Sequence, residues 1–168
     1  THSASSAASD VYKRQKPAKQ VFLPLNSLNL KFIMNKLKQL KNIIITKPQK
    51  LDCGKEISNF PISYETYGTL NEKKDNAILV FHALTGDQFA SGKNPITNKD
   101  GWWSYALGSG KAIDTEKFFV ICANVIGGCM GSYGPSTIDE ETGKPIGTNF
   151  PVITTVSYTH LRAHETTR

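Results

Sequence analysis

NAILVFHALTGD, residues 76–87, decides the fold. The segment Ala77–His82 is an apolar run bounded by polar residues. Strands buried on both faces of a parallel sheet read this way, because both of their sides are covered. A second such run is FFVICANV, Phe118–Val125. About 35 residues separate the two runs, enough for a loop and a crossover helix between parallel strands. Trp102–Leu107 (WWSYAL) is the helical candidate there, with Asp100 and Gly101 at its start and Gly108-Ser109-Gly110 as its stop.

Upstream, Ile43–Thr46 is β-branched and reads as a strand. Asp52-Cys53-Gly54-Lys55 reads as a turn. In Ile57–Gly68, Ile62, Tyr64 and Thr66 alternate with Ser63, Glu65 and Tyr67, the period of a strand. The pattern predicts an antiparallel hairpin. Asn71–Asn76 is a polar loop. Downstream, Gly127–Pro151 holds six glycines and three prolines, the composition of a long irregular loop of functional character. The expected fold class is α/β: an antiparallel hairpin leading into a mostly parallel sheet.

The chain has 168 residues and a net charge of +6, with 39% apolar and 20% charged residues. That length corresponds to about one domain. Residues 34–155 carry 13 Lys, no Arg and 12 Asp or Glu, so no basic field is available to steer a nucleic acid. No run approaches the roughly 18–20 apolar residues of a membrane span. Cys53, Cys122 and Cys129 are too few and too irregular for a disulfide framework or a zinc site. Reduced thiols in a cytoplasmic protein are expected, with no metal and no membrane or nucleic-acid partner.

The arginines, Arg14, Arg162 and Arg168, all lie near the ends. Thr1–Gln15 and Val156–Arg168 resemble translated sequencing-adapter DNA, and both are expected to be non-native. The chain is therefore read as three parts. Residues 1–33 are a non-native or disordered extension, 34–155 carry the fold, and 156–168 are a non-native tail. Met34–Leu40 shows no strong periodicity, which places the start of the fold near Ile43.

The turn after the first buried run suits an oxyanion hole. A tetrahedral acyl intermediate carries a negative oxygen, and one preorganised amide aimed at it contributes roughly 3 kcal/mol. In α/β-hydrolases the loop after this strand supplies such an amide. By position Leu84 is the donor, and Gly86 lets the backbone come close to the substrate. An ordinary strand-to-loop turn is the plainer alternative. His82 could act as a general base, but a histidine at a strand end more often bonds nearby backbone. Gly127-Gly128-Cys129-Met130-Gly131 has the form of a nucleophile elbow with cysteine in place of serine. Gly131, Gly134 and Pro135 forbid the helix such an elbow needs. No serine has glycine two residues before and two after it. The same glycines lack the ending and spacing of a phosphate loop. Trp102 and Trp103 read as core or pocket wall.

ISYETYGTLN (62–71), NAILVFHALTGD (76–87), GWW (101–103), GKAIDTEKFFVICANVIGGCMGSYGPST (110–137) and TGKPIGTNFPVIT (142–154) together resemble the homoserine O-acetyltransferases, α/β-hydrolase-fold enzymes of methionine biosynthesis. The resemblance covers residues 43–155. It implies the N-terminal part of that fold, and an acyl transfer from acyl-CoA, acetyl-CoA by default, to the hydroxyl of L-homoserine. It implies a serine nucleophile with an Asp–His pair, none of which maps onto this chain, so the fragment alone is expected to be inactive. What maps is Leu84 as oxyanion donor, with Thr85, Gly86, Asp87, Gly127 and Gly128 as substrate-pocket candidates. Acyl-CoA is a co-substrate and no cofactor is implied. A homodimer is compatible with the full-length protein. Three alternatives stay open: a homoserine O-succinyltransferase, a hydrolase using Cys129, and a non-catalytic ligand-binding fragment.

Overall fold

The computed structural model describes residues 27–83 and 85–154. The expected non-native segments 1–15 and 156–168 lie outside the described residues.

The first element is helix α1, Ser27–Lys38. Leu30, Ile33 and Leu37 have helical spacing, and Lys36 and Lys38 place positive charge against the negative end of the helix dipole. Bonds from Gln39 N to Lys36 O (3.1 Å) and Leu40 N to Leu37 O (3.3 Å) tighten the last turn. The helix runs across Ile33–Met34, where the sequence reading divided the chain. No helix among the described residues is long and apolar enough to cross a membrane.

Eight strands follow: β1 Asn42–Ile45, β2 Gln49–Lys50, β3 Glu56–Ile57, β4 Phe60–Tyr67, β5 Ala77–Val80, β6 Leu107–Gly108, β7 Ile113–Asp114 and β8 Phe119–Ala123. The main sheet has the order β1-β4-β8-β5. β1 pairs antiparallel with β4, from Asn42 opposite Ser63 to Ile45 opposite Phe60. This is the expected hairpin, with the short β2–β3 ribbon inserted at its end. Its turn closes through Leu51 N to Lys55 O (2.8 Å) and Gly54 N to Leu51 O (2.9 Å). β8 pairs antiparallel with β4 and parallel with β5. The two apolar runs are thus parallel neighbours, as their composition predicts, and the described sheet as a whole is mixed.

The crossover between them differs from expectation. Trp102–Leu107 forms successive turns, Ser104 N to Gly101 O and Ala106 N to Trp103 O, and not a helix. The cause is tertiary. Trp103 N donates to Ala90 O at 2.7 Å, and Leu107–Gly108 pairs with Ile113–Asp114 as a parallel two-stranded ribbon.

Two apolar clusters form. Val80, Ala90, Leu107, Val120 and Cys122 pack with Tyr67, Ile78, Trp103 and Ile113. Leu51, Ile57, Phe60 and Ile126 pack with Ile62, Tyr133 and Phe150. The register puts Val120 and Cys122 on one face of the sheet, with Ile121 and its partner Leu79 on the other. The first face is closed by the crossover. On the second, Leu79 is 37% exposed, as is Phe81 beyond it at 43%. The expectation that both runs are buried on both faces therefore holds for one face, because the described residues supply cover for one.

The outer edge of β5 has no strand partner among the described residues, and Ile43 and Ile44 on the opposite edge strand are each 53% exposed. Apolar edges and faces of this kind drive association. The 168-residue chain alone is expected to self-associate at micromolar concentration and to bind a hydrophobic dye such as ANS, and Leu79→Glu should lower both. Light scattering checks this. A soluble monomer that melts sharply and binds no dye would contradict it.

Candidate functional site

The loop that leaves β5 is shaped by its own side chains. His82 is buried, and its Nδ1 lies 2.7 Å from Ala83 O. A carbonyl only accepts, so Nδ1 is the donor in this bond. Nε2 is buried without a partner among the described residues. The backbone-bonding reading of His82 is the one observed. Gly86 N donates to Ala83 O at 2.8 Å and closes the turn. A Cβ on Gly86 would stand 3.0 Å from His82 Cβ, so glycine permits this close return of the chain. Leu84, the expected oxyanion donor, lies outside the described residues.

Asp87 anchors the next stretch. Its Oδ1 accepts from Phe89 N (2.9 Å) and its Oδ2 from Asn94 Nδ2 (3.0 Å). Its backbone carbonyl accepts from Trp102 Nε1 at 2.9 Å. Both carboxylate oxygens are thus engaged in holding the loop. Asn94 Oδ1 in turn accepts from Ile96 N and Thr97 N. From β4, the Tyr67 hydroxyl donates to Gln88 O (3.2 Å) and accepts from Ser91 N (3.1 Å). Burial pushes the Tyr67 phenol up to about 12, more than the bond from Ser91 lowers it, so it stays a neutral donor at physiological pH.

These bonds enclose a cleft of about 320 Å³, lined by Thr85, Gly86, Asp87, Asn94, Lys99 and Trp102 among others. Three of the five pocket candidates therefore meet. Trp102 forms cleft wall and stacks on Trp103, with ring centroids 5.5 Å apart, while Trp103 packs on the core. Asn94 and Lys99 were missed. The Asn94-Pro95 step gives a turn signal, but nothing in the sequence aims either side chain at Asp87 or the cleft.

Gly127 and Gly128 do not line this cleft. They sit in the loop after β8, where Gly127 N donates to Tyr133 O at 2.7 Å. Gly131 has φ +97°, and a Cβ there would fall 2.5 Å from Ser63 Oγ. Ser63 is fully buried. Its backbone N–H donates to Ser132 Oγ at 3.0 Å, and that hydroxyl faces Asn124 O at 3.3 Å. Cys129 is exposed, and residues 129–137 form bends and turns instead of a helix, as its glycine and proline neighbours require. Cys122 is buried; burial first, and then the negative charge of Asp87, push its thiol up to about 12. No group of three or more His, Cys, Asp or Glu suited to a metal occurs among the described residues.

No family model matches the chain. It is 74% identical over 121 residues to a homoserine O-acetyltransferase of Pelagibacter ubique, a match covering 72% of this chain and 32% of the relative. It is 59% identical over 108 residues to a homoserine O-acetyltransferase of Mesorhizobium japonicum, covering 64% of this chain and 28% of the relative. The chain thus spans about a third of the length of the curated relatives it matches. Among solved structures, a homoserine O-acetyltransferase from Bacillus anthracis matches with a TM-score of 0.62 at 31% identity, over 76% of this chain and 35% of that one. Esterase E22 matches with a TM-score of 0.59 at 32% identity, over 76% of this chain and 37% of that one. These neighbours have the α/β-hydrolase fold, of which the mixed sheet here is a part. Over the segment it shares with these relatives, the chain is similar to the homoserine O-acetyltransferases.

Proposed function

We propose that this chain forms the oxyanion side of an enzyme that transfers an acetyl group from acetyl-CoA to the side-chain hydroxyl of L-homoserine, in methionine biosynthesis. The observation that carries the reading is the 74% identity to the Pelagibacter ubique relative. The name borne by that relative and the others favours an acetyl over a succinyl donor.

In this reading a serine, from the part of the enzyme that this chain does not span, gives its proton to a base and attacks the thioester carbonyl. CoA leaves as the thiol, taking a proton from the base. The homoserine hydroxyl then attacks the acyl-serine and gives its proton to the same base, which frees the serine and the O-acyl product. Each attack places negative charge on the carbonyl oxygen. In this reading the Leu84 amide, the donor expected from the sequence, bonds that oxygen, and one such donor lowers the barrier by about 3 kcal/mol. Thr85 and Asp87 line the cleft, which supports a place for them beside the substrate.

A chimaera of this chain's matched segment with the remaining two thirds of the Pelagibacter ubique relative tests the proposal. It should acetylate L-homoserine within about tenfold of the parental kcat/KM, and prefer acetyl-CoA to succinyl-CoA. A folded chimaera without this activity would sink the reading.

The cysteine-hydrolase alternative gives the opposite result on thiol blocking. Alkylation requires the thiolate. Exposed Cys129 should label with iodoacetamide at pH 8, and acetyl transfer should survive both that labelling and Cys129→Ala. Cys122, neutral until pH approaches about 12, should stay unlabelled in the native chimaera and label only in strong alkali or on unfolding. Peptide mapping by mass spectrometry reads both sites. Loss of activity in step with Cys129 modification would favour the hydrolase.

A further inference from the structure

Gln88 is fully buried, which is unusual for a glutamine in a loop. Its Nε2 donates to Met130 O at 2.9 Å. Its Oε1 is also buried and has no hydrogen-bond partner among the described residues. A buried acceptor left unpaired opposes folding, and methionine or leucine would fill similar space without that cost. The amide therefore needs a reason beyond packing, and its donor bond supplies one. Met130 lies in the glycine-rich loop after β8. Gln88 lies in the loop after β5, one residue beyond the cleft-lining Asp87. The β5–β8 ladder ends with Val80 opposite Cys122, so the two loops leave the sheet without backbone pairing between them. The Gln88 side chain reaches across this gap, while its own carbonyl is held by the Tyr67 hydroxyl.

We propose that Gln88 is a positioning residue that locks the loop after β5 to the glycine-rich loop, and so fixes the cleft-lining Gly86 and Asp87 relative to the reacting acyl group. This rests on the acyltransferase reading. A site displaced by about 1 Å can cost a hundredfold in rate, whereas substrate affinity, made by other contacts, changes little.

The experiment uses the same chimaera with Gln88→Met, which fills the space without a donor, and Gln88→Glu, whose carboxylate cannot donate to Met130 O. Both are expected to lower kcat by about tenfold to a hundredfold while KM for L-homoserine and acetyl-CoA stays within about twofold. The burst of CoA release counts active sites. If kcat per active site is unchanged and only the number of folded sites falls, Gln88 is structural filler and the proposal is overturned. Hydrogen exchange on the unmutated chimaera decides independently of whether the variants fold. The amides of Phe89 and Ala90 should open together with those of Gly127 and Gly128, with equal protection. Separate opening of the two loops overturns the proposal. An unmutated chimaera that folds without acetylating L-homoserine would instead remove the acyltransferase reading, leaving the exchange result to judge the coupling.

Discussion

Two of the three ladders of the main sheet run along β8. It takes β4 antiparallel on one side and β5 parallel on the other. With a side-chain period of two, a slip of one residue would exchange Val120 and Cys122 for Ile121 on the face that the crossover covers. Val120, Cys122, Ala90 and Leu107 are each fully buried, so this register is strongly specified. It also fixes where the candidate site is. β5 and β8 are parallel, so both exit at the same edge of the sheet, and their following loops emerge side by side. Open α/β sheets bind ligands beyond the carboxyl ends of their strands. The cleft bordered by Thr85, Gly86 and Asp87 lies at that edge.

The strands of this sheet were legible because their signals are local. Ala77–Val80 and Phe119–Ala123 are continuous apolar runs, and a run of that kind has few readings other than a buried strand. The hairpin was legible from the Asp52–Lys55 turn and the alternation beyond it. Trp102–Leu107 was not, because a helix there loses to tertiary donors and acceptors: Ala90 O takes the Trp103 amide, and Ser91 Oγ bonds Leu107 O at 2.8 Å. Ser63 fell on the polar side of the β4 alternation and is nonetheless fully buried, since Gly131 leaves room for it and Ser132 and Asn42 bond it. Gln88 was invisible for the same reason. A polar residue in a loop reads as solvated, and only the fold reveals a carbonyl waiting for it.

The site is built mainly from neutral donors. The Tyr67 phenol and the Gln88 and Asn94 amides hold the loop, along with the Trp102 indole. The Asp87 carboxylate is the charged member, and its two oxygens are each satisfied by an N–H. The Tyr67, Gln88, Asn94 and Trp102 donors are uncharged, so salt screens these bonds little. By contrast, the ion pairs Lys41–Glu65 and Lys93–Asp100 involve well-exposed side chains, and such pairs contribute little. The loop geometry therefore depends on hydrogen bonds shielded from solvent more than on surface charge.

The bonds that shape the loop and the packing that carries it have different reach along the chain. The turn after β5 is shaped by His82, Asp87, Asn94, Trp102, Tyr67 and Met130, all within the described residues. Its conformation is therefore encoded locally. Burial of the second sheet face is incomplete: Leu79 is 37% and Phe81 43% exposed there. The stability of the loop depends on β5 and β8, which carry it, and those strands depend on that uncovered face being closed. A segment can thus contain the bonds that shape the loop after β5 and still depend on cover over both sheet faces to keep that loop rigid, since preorganisation works only if the supporting shell does not move.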